Sequence, residues 1–141
     1  MAPQNALAAR VGRASARFHP SVLAGALWAG LAARLVRREL KRAGVRAWVL
    51  PPPAWLGPRA SRGVKAALRR LEPTCLEKAL VLQAWLASQG TLRDVVIGVP
   101  PTGMSEQPAH AWVDGLDPVS PANYLEMHRL PAHPGRGRAR L

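Results

Sequence analysis

Cysteine occurs once in these 141 residues, at Cys75, and tyrosine and phenylalanine once each. A single thiol excludes an internal disulfide framework and any cysteine-based zinc site, so a small secreted scaffold does not fit and a reducing, cytoplasmic setting does. Acidic residues are also scarce: 8 Asp plus Glu stand against 20 Lys plus Arg, a formal charge of +12. Arg far outnumbers Lys, and Ala, Pro and Gly are common, as in products of GC-rich genomes. The charge therefore licenses only non-specific attraction to anions and names no partner. No uninterrupted run reaches the roughly 20 apolar residues that a membrane-spanning helix requires. Internal repeats, a phosphate-cradling glycine loop and an RNA-binding aromatic motif are all missing, which leaves nothing to support a nucleotide cofactor or specific nucleic-acid recognition.

What remains is a chain with 48% hydrophobic residues, long enough for one domain with a real core. Its centre is the stretch PTCLEKALVLQAWLASQG, Pro73 to Gly90. Thr74 followed by Glu77 is a capping box, which places Cys75 at the first helical position. A thiol there faces unpaired backbone N–H groups and the positive end of the helix dipole, both of which favour thiolate. Leu76, Ala79, Leu80, Val81, Leu82, Ala84, Trp85 and Leu86 leave only a narrow polar strip, so this helix is expected to be buried, with Gly90 ending it. The bland reading of Cys75 is a small apolar core residue.

Residues 1–20 carry Arg10, Arg13 and Arg17 and read as a loosely ordered basic arm. SVLAGALWAGLAA, Ser21 to Ala33, continues into a charged segment that ends at Gly44. It is too short to span a membrane, and its flanks are compatible with a secretory signal; an ordinary helix fits best, with Leu23, Leu27, Leu31 and Leu35 repeating every four residues beside Trp28 and Ala32 and supplying core. Contact with a membrane surface is the leftover alternative for this helix. Val45 to Leu50 reads as a short extended piece, and Pro51 to Pro58 as a stiff connector with Trp55 and Leu56 tucked inward. Trp28, Trp48 and Trp55 are assigned to packing first and docking second.

Ser61 is expected to cap a helix reaching Leu71, with Val64, Ala67, Leu68 and Leu71 as its apolar stripe. After Gly90, Val95 to Val99 reads as a buried strand. Pro100 to Ala109 reads as a loop. In HAWVD, His110, Trp112 and Asp114 share one face of a strand and Ala111 and Val113 the other. Asp114-Gly115 and Asp117-Pro118 are turn signals, and Ser120-Pro121 opens a last helix carrying Tyr124, Leu125, His128 and Leu130. Residues 131–141 form a Pro/Gly/Arg-rich tail, expected to be disordered. The single domain thus spans 21–130, with a helical part at 21–71 and a core at 73–130.

Cysteine hydrolases and acyl transferases need a thiolate, an imidazole to carry its proton, and a third group to orient that imidazole. Cys75 and His110 are the candidates for the first two. His19, His128 and His133 lack a comparable setting. The ordered trio TCLEKALVLQAWLASQG, VVIGV and HAWVD, within a block from Arg62 to Asp114, resembles the transglutaminase-like cysteine hydrolases. More narrowly, it resembles the B-type leader peptidases of lasso-peptide biosynthesis, in their stand-alone form.

That resemblance implies an α+β fold with a transglutaminase/papain-like core: N-terminal helices, a central buried helix starting at the cysteine, and a small antiparallel sheet. It matches Cys75 to the nucleophile and His110 to the general base. The family pattern usually places an aspartate about a dozen residues past the histidine, where this chain has Ala122 and Asn123. Asp117 is the nearest later carboxylate and is slightly favoured as third member, with Asn123 the alternative; Asp114 is less suitable, since side chains two apart on a strand do not point at each other. The implied reaction is removal of the leader from a ribosomally made precursor peptide, without cofactor or metal. The implied partners are a small leader-binding protein and an ATP-dependent macrolactam synthetase. Two rival functions stay open: an amide hydrolase or acyl transferase of another peptide pathway, and a non-catalytic basic binding module.

Overall fold

The computed structural model describes residues 19–101 and 108–133. Most of the expected N-terminal arm, the middle of the Pro100–Ala109 loop and most of the C-terminal tail lie outside the described residues.

Helix α1 runs from Pro20 to Ala43. His19 caps it, its Nδ1 accepting from the Ser21 amide at 3.2 Å, and Pro20 occupies the first turn, where a missing N–H costs nothing. Gly44, at φ +60°, ends it. Its buried face is not the leucine stripe. Gly25, Trp28, Ala29, Ala32, Ala33 and Val36 point inward, while Leu23, Leu27 and Leu31 are 52%, 76% and 52% exposed. The reason is close helix approach. Helix α2, Ser61–Leu71, lies against α1 so tightly that a Cβ on Gly63 would stand 1.8 Å from the Val22 carbonyl oxygen. One on Gly25 would stand 2.5 Å from the Ala60 oxygen, so only the small-residue face of α1 fits this interface.

Between these helices, Gly44–Arg46 forms a 3-10 turn that takes the first two residues of the extended piece expected over Val45–Leu50, and Pro58–Ala60 forms a second. Leu56 is buried as expected; its neighbour Trp55 projects into solvent instead. Ser61 does not cap α2 with its side chain. Its hydroxyl accepts from Trp85 Nε1 at 3.0 Å, tying α2 to helix α3, Cys75–Ser88.

The sheet has the order β2-β1-β3, with β1 (Val95–Val99) antiparallel to both β2 (His110–Val113) and β3 (Leu125–Leu130). Helix α4 is a single turn, Ser120–Asn123. The last helix expected through Leu130 is therefore mostly strand. LEMHRL buries only Leu130, so it carries no helical stripe, and its conformation comes from pairing with β1. The turn at Asp114-Gly115 exists, with Gly115 at φ +80°, but makes no hairpin, because β3 lies across β1 from β2.

Val95, Ala111, Val113 and Leu130 join the helices in one core around Trp28, Val36, Val64, Val81 and Trp85. The pleat sends His110 and Trp112 to the other face of β2. The architecture is α+β, a helical layer on one face of a small antiparallel sheet.

Candidate active site

Local chemistry fixes where α3 begins. Thr74 Oγ1 accepts from the Glu77 amide at 3.3 Å, and Glu77 Oε2 accepts from the Thr74 amide at 3.0 Å, so both halves of the capping box form. The box occupies the Thr74 and Glu77 amides. Among the described residues, no acceptor takes the N–H of Cys75 or Leu76. Cys75 thus stands beside two unspent donors at a helix start, half-buried and packed against the core.

Glu77 has a second task that the sequence did not disclose. Arg37 of α1 donates through Nε and Nη2 to its two carboxylate oxygens, at 3.1 and 3.2 Å. The Glu77 side chain is only 6% exposed, so the pair and the box together satisfy a charge that burial would otherwise penalise. The hydrogen bond to Glu77 raises the pKa of Arg37 above its already high ordinary value.

β2 packs against α3 and carries His110 as its first residue. The imidazole lies 5.0 Å from the Tyr124 ring and 5.9 Å from the Trp112 ring, centre to centre. Trp112 leans along the sheet over Gly98, the cross-strand partner of His110. A Cβ on Gly98 would stand 2.9 Å from two atoms of that indole and 2.9 Å from the Leu125 oxygen, so this close approach needs glycine. Among the described residues no acceptor takes the buried Trp112 indole N–H.

Asp117 reaches the histidine: its Oδ2 is 3.9 Å from His110 Nε2. Its carboxylate is held from the other side. Oδ1 accepts from the amides of Val119 and Ser120 at 2.9 and 3.1 Å, and Oδ2 accepts from the buried Ser120 hydroxyl. Asp117, not Ser120, is therefore the side chain that caps the α4 turn. The Ser120 hydroxyl first, then the backbone amides and the nearby imidazole, draw Asp117 below the usual carboxylate pKa, against a smaller opposing pull from burial. The Asp-x-x-Ser spacing is itself a capping signal that could have revealed this.

Asn123, the alternative third member, donates its side-chain N–H to the Val119 oxygen at 2.9 Å and closes the same turn. Asp114 bonds Arg129 at 2.8 Å instead of facing His110. Arg129 also binds Asp94 and Glu126, so it clips together the ends of all three strands. Its hydrogen bonds hold Glu126 below the ordinary glutamate pKa. His19 caps α1, and His128 lies exposed on β3.

The fold thus brings Asp117 to His110, and sets the strand of His110 on the helix of Cys75. Among the described residues no hydrogen bond joins Cys75 Sγ to the His110 imidazole. Nε2 is the ring nitrogen that faces Asp117. Among the described residues no group of three or more His, Cys, Asp or Glu is placed to hold a metal ion.

A family model described as the transglutaminase-like superfamily matches residues 20–129, from the first turn of α1 to Arg129 in β3. No curated protein and no solved structure matches the chain.

Proposed function

The chain belongs to the transglutaminase-like superfamily, typically cysteine peptidases and acyl transferases, and from that premise we propose that it is a cysteine peptidase removing the leader from a lasso-peptide precursor. Cys75 attacks the scissile carbonyl. His110 takes the thiol proton and passes it to the departing amine, then draws a proton from the water that hydrolyses the thioester. Asp117 fixes the imidazole and offsets its positive charge. The amides of Cys75 and Leu76 are the donors for the developing oxyanion.

The observation that carries this reading is the Asp117–His110 contact, made by a carboxylate anchored by three donors, on a strand packed against the helix that begins at the chain's one cysteine. A free enzyme commonly lacks the catalytic thiol–imidazole hydrogen bond before substrate binds, so its absence here is compatible with this reading. The narrower assignment, to leader removal, rests on the Cys-Leu, Ile-Gly-Val and His-Ala-Trp-Val resemblance. The partners it implies are a leader-binding protein and an ATP-dependent macrolactam synthetase. The test is incubation with the precursor peptide and leader-binding protein of the same gene cluster, followed by mass spectrometry. Wild type should release the leader, and Cys75→Ala and His110→Ala should not. Equal cleavage by all three removes the peptidase reading.

A further inference from the structure

The leucines that α1 does not bury make a surface of their own. Leu23, Leu27 and Leu31, at i, i+4 and i+8, form one exposed ridge about 12 Å long. Leu71 of α2, also exposed, lies near the ridge, close to Gly30. The same face of α1 continues through Arg34, Arg38, Lys41 and Arg42, all exposed, and α2 alongside exposes Arg62, Lys65, Arg69 and Arg70.

Charge is divided unevenly along the chain. Residues 20–72 hold eleven Lys or Arg and only two acidic residues, Glu39 and Glu72. Residues 73–133, which carry the candidate site, hold Lys78, Arg93 and Arg129 against Glu77, Asp94, Glu106, Asp114, Asp117 and Glu126. Within residues 20–133 the basic excess therefore belongs to the α1–α2 layer, and the remaining arginines lie in the two terminal segments.

We propose that this layer docks on an anionic lipid surface, the Leu23–Leu27–Leu31 ridge entering the headgroup boundary while the surrounding Arg and Lys side chains meet lipid phosphates. Apolar side chains flanked by long cationic ones are what a helix lying in a bilayer interface requires. A phosphodiester backbone would reward the cations and leave three leucines in water, and an acidic protein would need its own apolar strip in register. The helix lies on the surface and does not cross, since no helix among the described residues is long and apolar enough to span.

Vesicle co-sedimentation tests this with the full chain at an ionic strength of about 0.15 M, using phosphatidylglycerol/phosphatidylethanolamine vesicles and pure phosphatidylcholine vesicles. Wild type should pellet with the first and stay in solution with the second. The double variants Leu27→Ser/Leu31→Ser and Arg34→Gln/Arg38→Gln should each bind at least about tenfold more weakly. Their thermal melts should stay near that of wild type, because all four side chains are exposed. Cys75→Ala should bind as wild type does, so the result is independent of the peptidase reading. Absence of binding to phosphatidylglycerol vesicles, or binding indifferent to the leucines, overturns the proposal; in the second case the layer is a site for a polyanion or an acidic protein.

Discussion

Ser120 donates its hydroxyl to Asp117 Oδ2, the oxygen that also lies 3.9 Å from His110 Nε2. One atom is shared between a buried side chain and the candidate base, so the imidazole is positioned through the turn that α4 makes. Removing the hydroxyl in Ser120→Ala should cost about 1 kcal/mol at pH 7. The sign of its pH dependence follows from Asp117, whose folded-state pKa lies below its unfolded one. Stability from that difference is present above the unfolded pKa of about 4 and is lost as pH falls through the lower folded value. Urea titrations should therefore show a wild-type advantage at pH 7 that narrows below about pH 4.

If Asp117 orients the imidazole, Asp117→Asn should keep the turn yet lose activity, on the order of 10²–10⁴ in kcat/KM. Asn123→Ala should lose only a helix-closing hydrogen bond and stay within about tenfold of wild type. Leader-release kinetics with both variants decide between the two candidates. The reverse ranking would move the orienting role to Asn123.

How much of this could be read in the sequence depended on how local the determinants were. The start of α3 at Cys75, its end before Gly90 and the limits of β1 all follow from neighbours within four residues, and each was legible. The leucine ridge of α1 was not, because hydrophobicity ranks leucine above alanine and glycine. The interface is chosen by how closely Gly25 and Gly63 let two backbones approach, which depends on a partner some 40 residues away. Likewise LEMHRL gains its strand conformation from β1, and its own pattern carries almost no burial signal. Asp117 was legible as a candidate, but the support it draws from Ser120 and two amides was hidden behind a different cap assignment.

Gly98 is where the sheet and the site meet. In Gly98→Ala, the added methyl would collide with the Trp112 indole and the Leu125 carbonyl, both 2.9 Å away, beside the bulge at Ile97/Gly98. Neither neighbour can yield cheaply, since one is packed against His110 and Tyr124 and the other is backbone. We expect a loss of roughly 1–3 kcal/mol. Trp112 should change its near-ultraviolet circular dichroism, and activity should fall at temperatures where the variant is still folded.

Arg37 and Glu77 join the two halves of the molecule, and their roles are unequal. Arg37→Met removes a partly exposed cation and leaves the buried Glu77 carboxylate only its hydrogen bond from the Thr74 amide, so it should destabilise the fold. Glu77→Ala removes the capping carboxylate as well and unties the Thr74 amide next to the candidate nucleophile, which should cost about 2–3 kcal/mol. The distinguishing readout is reactivity, not stability. Because the box sets the first turn of α3, Glu77→Ala should slow alkylation of Cys75 by iodoacetamide at fixed pH, whereas Arg37→Met should leave that rate within about twofold. Equal slowing in both would mean that α1, through its ion pair, and not the capping box, holds the thiol in place.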